Sequence, residues 1–335
     1  MVKLKVINFL RHVRNTLVWV CSTNRVLSRV FFLFSGEFDR EFDFTLKGRY
    51  DALTHKYSSS NSNANIRRCV HRLEKGLFHQ KPKKYFGEAV FKELRKEIQK
   101  YDLTKMDKNE MKWLINTLKS YTSFSRTPHK VQLLTQSLKS YSEQNNNNDK
   151  SSIKLTQDFD SLKKIISKRK SVRFYKPKTI NIDKIAKCVE IAKLAPTACN
   201  RQPYHIELLT NKKDILEIGN LAPGTSGWID GVPALGVVIG HSNSFRFSRD
   251  RHLIYFDSGL FVSNFINSLV TLELASCICN WTPSWNADRK AVKYLGYDLS
   301  KTIICLIAIG SPEHIDSPVS TKKSTENILR IRNEN

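Results

Sequence analysis

The sequence predicts an α+β domain over residues 153–335, a sheet flanked by helices, preceded by a mostly helical extension over residues 1–143. Three observations carry this. From residue 153 onward, helical periodicities alternate with short apolar runs such as PALGVVIG and IICLIAIG, which read as strands. Before residue 143 the apolar positions recur three and four apart, as Leu114, Ile115 and Leu118 do, which is helix spacing. Between the two regions lies SEQNNNNDKSS, which has nothing to bury and marks residues 144–152 as a polar linker. A composition of 40% hydrophobic and 10% aromatic residues over 335 positions is enough for a sizeable core.

Taken in order, Val2 to Phe34 interleaves apolar residues with Arg11, Arg14, Arg25 and Arg29. No window approaches the roughly 18 uncharged residues of a membrane span, and no small-residue cleavage site follows a clean apolar core. A helix docked on its own protein is expected; peripheral contact of residues 1–35 with an anionic membrane is the alternative. Tyr57 to Asn65 is a polar break, and the run containing RRCVHRLEKGL starts a new helix in which His71 and Glu74 share a face. Without further ligand candidates at fixed spacing, that pair reads as a surface or packing contact rather than a metal site. Tyr85–Tyr101, Asn109–Tyr121 and Lys130–Tyr141 continue as helices.

The chemistry concentrates between Arg169 and His205. Arg169, Lys170, Ser171 and Arg173 put three cations and a hydroxyl into five residues, a density suited to a phosphate monoester, although a solvated basic helix end has the same composition. A helix from Ile182 to Leu194, with Asp183 in its first turn and Pro196 as its stop, separates this segment from a loop. In the loop, Pro196 and Pro203 fix the backbone, while Thr197, Asn200 and Gln202 offer donors and acceptors to a polar ring edge. His205–Thr210, Ala234–Gly240 and Ile303–Gly310 read as strands, the second buried on both faces, and Asp257–Thr271 as a strong helix.

Arg169 to His205 resembles the opening of the FMN-dependent nitroreductase family, in which an Arg-x-Ser-x-Arg/Lys element is followed one helix later by Pro-Ser-x-x-Asn-x-Gln-Pro-aromatic. Here the second motif stands as Pro196, Thr197, Asn200, Gln202, Pro203 and Tyr204, with Thr for Ser at 197. The resemblance implies a mainly antiparallel nitroreductase-like sheet and an obligate homodimer. It implies that Arg169, Lys170, Ser171 and Arg173 hold the phosphate and ribityl end of FMN, with Arg173 stabilising charge on the reduced ring. Pro196, Thr197 and Asn200, with Gln202 beside them, would meet the isoalloxazine from the partner subunit. The Asp257 helix matches the family's central helix, and Glu273 to Trp281 is similar to its Gly-Leu-x-x-Cys segment, which brings Ser276 and Cys277 to the flavin. Glu273 stands where the family has Gly, a residue chosen for positive φ or close approach. Lys322 or Lys323 is the candidate for a basic residue returning to the phosphate, and Trp228 is a candidate lid over the flavin, with core packing as the alternative. The segment His-x-Leu-Glu-Lys-Gly-Leu at His71–Leu77 resembles the extension of nitroreductase-like proteins associated with surface-polysaccharide gene sets.

The implied activity is reduction of a small acceptor by an NAD(P)H-dependent flavin oxidoreductase, with no side chain named as catalytic acid or base. The alternative is a redox-inactive flavin-binding or accessory protein of polysaccharide synthesis. No GxGxxG turn, P-loop, nucleophile elbow or zinc-protease spacing occurs, so Rossmann and hydrolase chemistry are disfavoured and no metal ligands are assigned. The net charge of +24 points to an anionic partner, and residues 1–150 carry 29 basic against 14 acidic residues. With no nucleic-acid motif present, nucleic acid is the weaker choice of partner. Seven cysteines without a CxxC pair fit a reducing cytoplasm, peripheral to a membrane if residues 1–35 reach one, and Cys277 and Cys279 read as buried hydrophobes.

Overall fold

The computed structural model describes residues 2–54, 63–78, 84–141, 159–281, 284–314 and 322–332. The linker expected at 144–152 and most of the polar break after Tyr57 fall outside the described residues.

The N-terminal region is helical as the periodicity predicts: α1 (Val2–Ser22), α2 (Arg25–Ser35), α3 (Asp39–Thr54), α4 (Ala64–Leu77), α5 (Glu88–Lys100), α6 (Lys108–Tyr121) and α7 (Pro128–Lys139). The Asp107 carboxylate accepts from the amides of Asn109 and Glu110 to start α6, and Pro128 pre-sets the first turn of α7. Helices α4 to α7 have a core of their own. Leu73, Leu94, Leu114 and Leu118 are fully buried there, each burial worth about 2 kcal/mol against exposure.

The expectation that the first helix docks on its own protein is not met. Every described side chain from Val6 to Val20 of α1 is exposed, and α2 has no buried residue. Phe32 of α2 is partly covered by Phe38, but the apolar residues along α1 are left exposed among the described residues.

The second region carries α8 (Phe159–Lys168), α9 (Ile182–Ala192), β1 (Tyr204–Leu209), α10 (Lys212–Gly219), β2 (Ala234–His241), α11 (Leu253–Thr271), β3 (Ala275–Asn280), α12 (Trp285–Tyr294) and β4 (Lys301–Gly310). The strands form one antiparallel sheet in the order β1-β2-β4-β3. Alternation divides β2 between two cores. Leu235, Val237 and Ile239 meet Ile215 and Ile218 of α10 on one face, while Val238 meets Phe265 and Leu269 of α11 on the other. All eight residues of β2 are buried for this reason, which is why its sequence is a continuous apolar run. Helix α11 begins four residues before the expected Asp257, because Leu253 and Ile254 extend its apolar pattern.

The extension is pinned to this sheet by buried charge. Arg40 of α3 pairs with Asp288 of α12, and its other nitrogens donate to the carbonyls of Lys301 (2.5 Å) and Leu299 (3.3 Å). Arg246 bridges Glu93 and Glu97 of α5 at 2.6 and 2.7 Å. Gly48 of α3 lies against Ser242, where a Cβ would come within 1.9 Å of the Ser242 hydroxyl, so only glycine permits this approach.

Candidate functional site

Helix α8 ends at Lys168, and the Arg169–Tyr175 segment that follows is stitched to the far end of the sheet. Ser171 bridges Ser276 of β3, and the Val172 amide donates to the Ser276 carbonyl at 3.1 Å. The buried Tyr175 hydroxyl donates to the Val172 carbonyl at 2.5 Å and lies 3.2 Å from that of Ala308 on β4. Arg169 and Lys170 are half-buried, while Ser171 and Arg173 face outward. The Arg169–Tyr175 segment is thus brought beside Ser276 and Cys277. Cys277 lies beside the thiol of Cys279 and under the charges of Arg173 and Arg169, and together these draw it below the ordinary thiol range. Both cysteines are buried.

Glu273 has φ +61°. The chain therefore keeps the left-handed conformation that glycine would take without cost, and the glutamate bears it at about 1–2 kcal/mol. Its side chain is exposed. Ser276 and Cys277 keep their place in β3 despite the substitution, a strand that the sequence pattern does not reveal.

The second half of the motif is a strained loop. Cys199, Asn200 and Gln202 have φ of 54°, 53° and 48°, three non-glycine residues in the left-handed region within four positions. Such a cluster persists only where its surroundings over-determine it, and it is characteristic of ligand clamps. The Asp257 carboxylate of α11 accepts from the Ala198 amide at 3.0 Å, the Thr197 hydroxyl from the Gln202 amide at 3.2 Å, and the Asn200 side chain from that of Gln202 at 3.2 Å. Burial pushes the Asp257 carboxyl up to about 6 against the pull of the Ala198 amide and Arg201. The outer anchor comes from the extension: the Arg67 guanidinium of α4 donates to the Arg201 carbonyl from Nη2 (2.7 Å) and Nε (3.2 Å). Arg67 is itself held by Asn63 and by Glu110 of α6 at 2.8 Å. Three polar atoms beside the loop, Arg201 Nε, Tyr204 Oη and Ser258 Oγ, are buried without a partner among the described residues. A loop whose polar groups await a partner fits a ring-edge ligand or a second chain.

The strand following the loop is fixed by a network that the sequence did not announce. His205 Nδ1 lies 2.6 Å from His241 Nε2, His205 Nε2 lies 2.8 Å from the Tyr297 hydroxyl, and Tyr297 donates to Glu207. Burial first, then the charges of Lys301, His205 and Arg67, hold His241 well below its ordinary value and keep it neutral. The His241 amide donates to the Pro203 carbonyl at 2.9 Å, locking the loop's exit.

The two half-sites lie at opposite corners of the sheet. The loop enters β1, whose Tyr204 pairs with Gly240 at the end of β2; the phosphate motif meets β3, whose Ala275 pairs with Gly310 at the end of β4. Three strand spacings and a strand length separate them, a diagonal of about 25 Å. One chain does not bring Arg169–Arg173 and Thr197–Gln202 together.

The remaining candidates separate cleanly. Lys322 and Lys323 are exposed, and among the described residues no hydrogen bond brings them to the phosphate motif. Trp228 packs against the core and donates to the Gly224 carbonyl at 2.9 Å, which favours its packing role. His71 and Glu74 form a 3.4 Å contact, and Glu74 also accepts from the Trp113 indole at 2.9 Å, tying α4 to α6. Sequence reasoning missed Arg67, because nothing in RRCVHRLEKGL distinguishes the arginine that turns inward.

The nitroreductase family model matches residues 166–224. A 4-nitrobenzoate reductase of Pseudomonas putida is 38% identical over 58 residues, which are 17% of this chain and 24% of that protein. Among solved structures, an FMN-dependent nitroreductase from Clostridium difficile aligns at 18% identity over 50% of this chain and 98% of its own, with a TM-score of 0.44. A nitroreductase-like protein from Streptococcus mutans aligns at 17% identity over 52% and 99%, with a TM-score of 0.46. The family match spans both Arg169–Arg173 and the proline loop: residues 166–224 are similar to the nitroreductase family.

Proposed function

We propose that the protein is an FMN-dependent oxidoreductase that works as a homodimer, with each flavin held by the Arg169–Arg173 segment of one chain and the Thr197–Gln202 loop of the other. The observation that carries this reading is the diagonal separation of the two half-sites. A two-fold dimer presents each chain's loop to the other's phosphate motif and forms the site twice.

The residues fit the group. Arg169, Lys170, Ser171 and Arg173 supply guanidinium, ammonium and hydroxyl donors for a phosphate, and Thr197, Asn200 and Gln202 supply paired donors and acceptors for a ring edge. Bound there, FMN supplies a redox centre between a nicotinamide donor, NADH or NADPH, and a small acceptor. The chain's own work is orientation and electrostatics. Arg67 and Asp257 hold the strained loop in shape before any ligand arrives. Arg173 and Arg169 place positive charge near Cys277 and Ser276, favouring electron-rich forms of the cofactor. The seven cysteines are free thiols, which suits a reducing cytoplasm.

Glu273 favours a second reading, a redox-inactive flavin-binding or accessory protein of surface-polysaccharide synthesis, because it stands in a left-handed conformation where the family has glycine. The visible spectrum of the purified full chain tests the first reading. Stoichiometric FMN, released on denaturation and absent from Arg169→Ala and Ser171→Ala, supports it; a colourless protein that refuses added FMN rejects it. A flavin-loaded sample that does not oxidise NAD(P)H favours the accessory reading.

A further inference from the structure

Val6, Leu10, Val13, Leu17 and Val20 recur at spacings of four, three, four and three, which aligns them along one face of α1. All five are between 40% and 60% exposed, and Trp19 is 68% exposed. On α2, Val26, Val30 and Leu33 repeat the pattern at 46% to 66% exposure, ending in Phe34 at 82%. Isolated surface hydrophobes need no explanation, but a contiguous strip along two successive helices marks a surface made for contact.

Charge indicates what it contacts. Residues 2–36 contain six Lys and Arg and no Asp or Glu. A second copy of the chain would bring the same patch against itself, six cations facing six with no acid to neutralise them. An anionic surface that also accepts apolar side chains has the required complementarity. Helix α1 is not among the described helices long and apolar enough to cross a bilayer; the apolar stripe with basic neighbours is instead the pattern of a helix lying in the interface. From α2 the apolar surface continues into a cleft of about 1130 Å³ against α3 and the start of α11, walled by Phe32, Phe38, Phe42 and Leu46; Glu37 and Glu41 also line it, outnumbered by Arg29, Arg49 and Arg251, the last of which pairs with Glu41 at 3.2 Å.

We propose that α1 and α2 lie on an anionic phospholipid bilayer, apolar stripe inward, and hold the rest of the protein at the membrane surface with the α2–α3 cleft facing the lipid. This is independent of the flavin reading, since it uses no residue of the flavin site.

The test is sedimentation of the full chain with vesicles of phosphatidylcholine alone or with one third phosphatidylglycerol, at low and high salt. The chain should bind the anionic vesicles, and salt should weaken binding by screening. A basic side chain near an anionic surface is worth about fivefold in partitioning, so Arg25→Gln with Arg29→Gln should weaken binding about 25-fold. Leu10→Glu with Leu17→Glu should abolish it. These four side chains are exposed, so both variants should melt like the parent. A chain that stays in the supernatant with anionic vesicles at low salt, or binds both vesicle types equally, overturns the proposal. An oligomer that ignores vesicles and is dissociated by Leu10→Glu with Leu17→Glu, seen by light scattering, would assign the stripe to self-association and overturn it as well.

Discussion

Replacing Arg67 with alanine tests whether the extension is part of the flavin site. Arg67 is 7% exposed and donates twice to the Arg201 carbonyl, while its remaining nitrogen reaches Glu110 and Asn63. Hydrogen bonds from a charged donor contribute about 1.5–3 kcal/mol each, and the Arg201 carbonyl would lose both of its contacts at once. The loop it holds has three left-handed residues at about 1–2 kcal/mol apiece, so it has several kcal/mol to gain by relaxing. We expect Arg67→Ala to weaken FMN binding by about 2–3 kcal/mol, or roughly 30- to 150-fold, with little change at the phosphate motif. Two assays separate the causes: quenching of flavin fluorescence gives the affinity, and hydrogen exchange at residues 197–202 of the flavin-free protein reports the loop alone. Parental affinity together with unchanged exchange in that segment would refute the argument that the extension shapes the site.

Other consequences follow from the same structure. Glu273→Gly should stabilise the protein by about 0.5–1 kcal/mol, the left-handed cost recovered less the entropy of a glycine, read as a melting temperature higher by about one degree; a lower melting temperature would contradict the strain. Burial raises the Asp257 carboxyl from the ordinary aspartate range to about 6. Its contribution to stability is present below pH 4 and lost as pH rises through 6. Asp257→Asn, which keeps an acceptor for Ala198, should therefore gain stability relative to the parent across that window in a thermal melt series, and parallel curves would reject the assignment. Arg40→Ala leaves Asp288 buried without its cation and should cost about 3–5 kcal/mol in urea unfolding. A loss under 1 kcal/mol would mean that α3 is not anchored there.

Much of this was legible because it is local. The helices of the extension and the buried β2 and β4 runs announce themselves through periodicity and caps, while Arg169–Arg173 and Pro196–Tyr204 were singled out by their resemblance to a family motif. Glu273 stands out because a residue type disagrees with its position, and its φ of +61° gives the disagreement physical form. What escaped depends on contacts across the chain. Arg67 and Arg201 are 134 residues apart, Arg40 and Asp288 are 248 apart, and the His205–His241–Tyr297 network joins three elements. Amphipathic spacing made α1 a helix but did not say which surface would cover its stripe, and its exposure reverses the expectation of a docked helix.

Subunit complementation addresses the central claim most directly. A chain carrying Arg169→Ala with Ser171→Ala lacks the phosphate half-site, and one carrying Asn200→Ala with Gln202→Ala lacks the loop half-site. Each alone should purify without FMN. If the flavin is shared between subunits, the mixed dimer pairs an intact phosphate motif with an intact loop at one of its two sites, and should retain a single FMN per pair of chains. If both halves came from the same chain, every site in the mixed dimer would carry a lesion. A colourless mixed dimer, beside a yellow parent, would contradict the account.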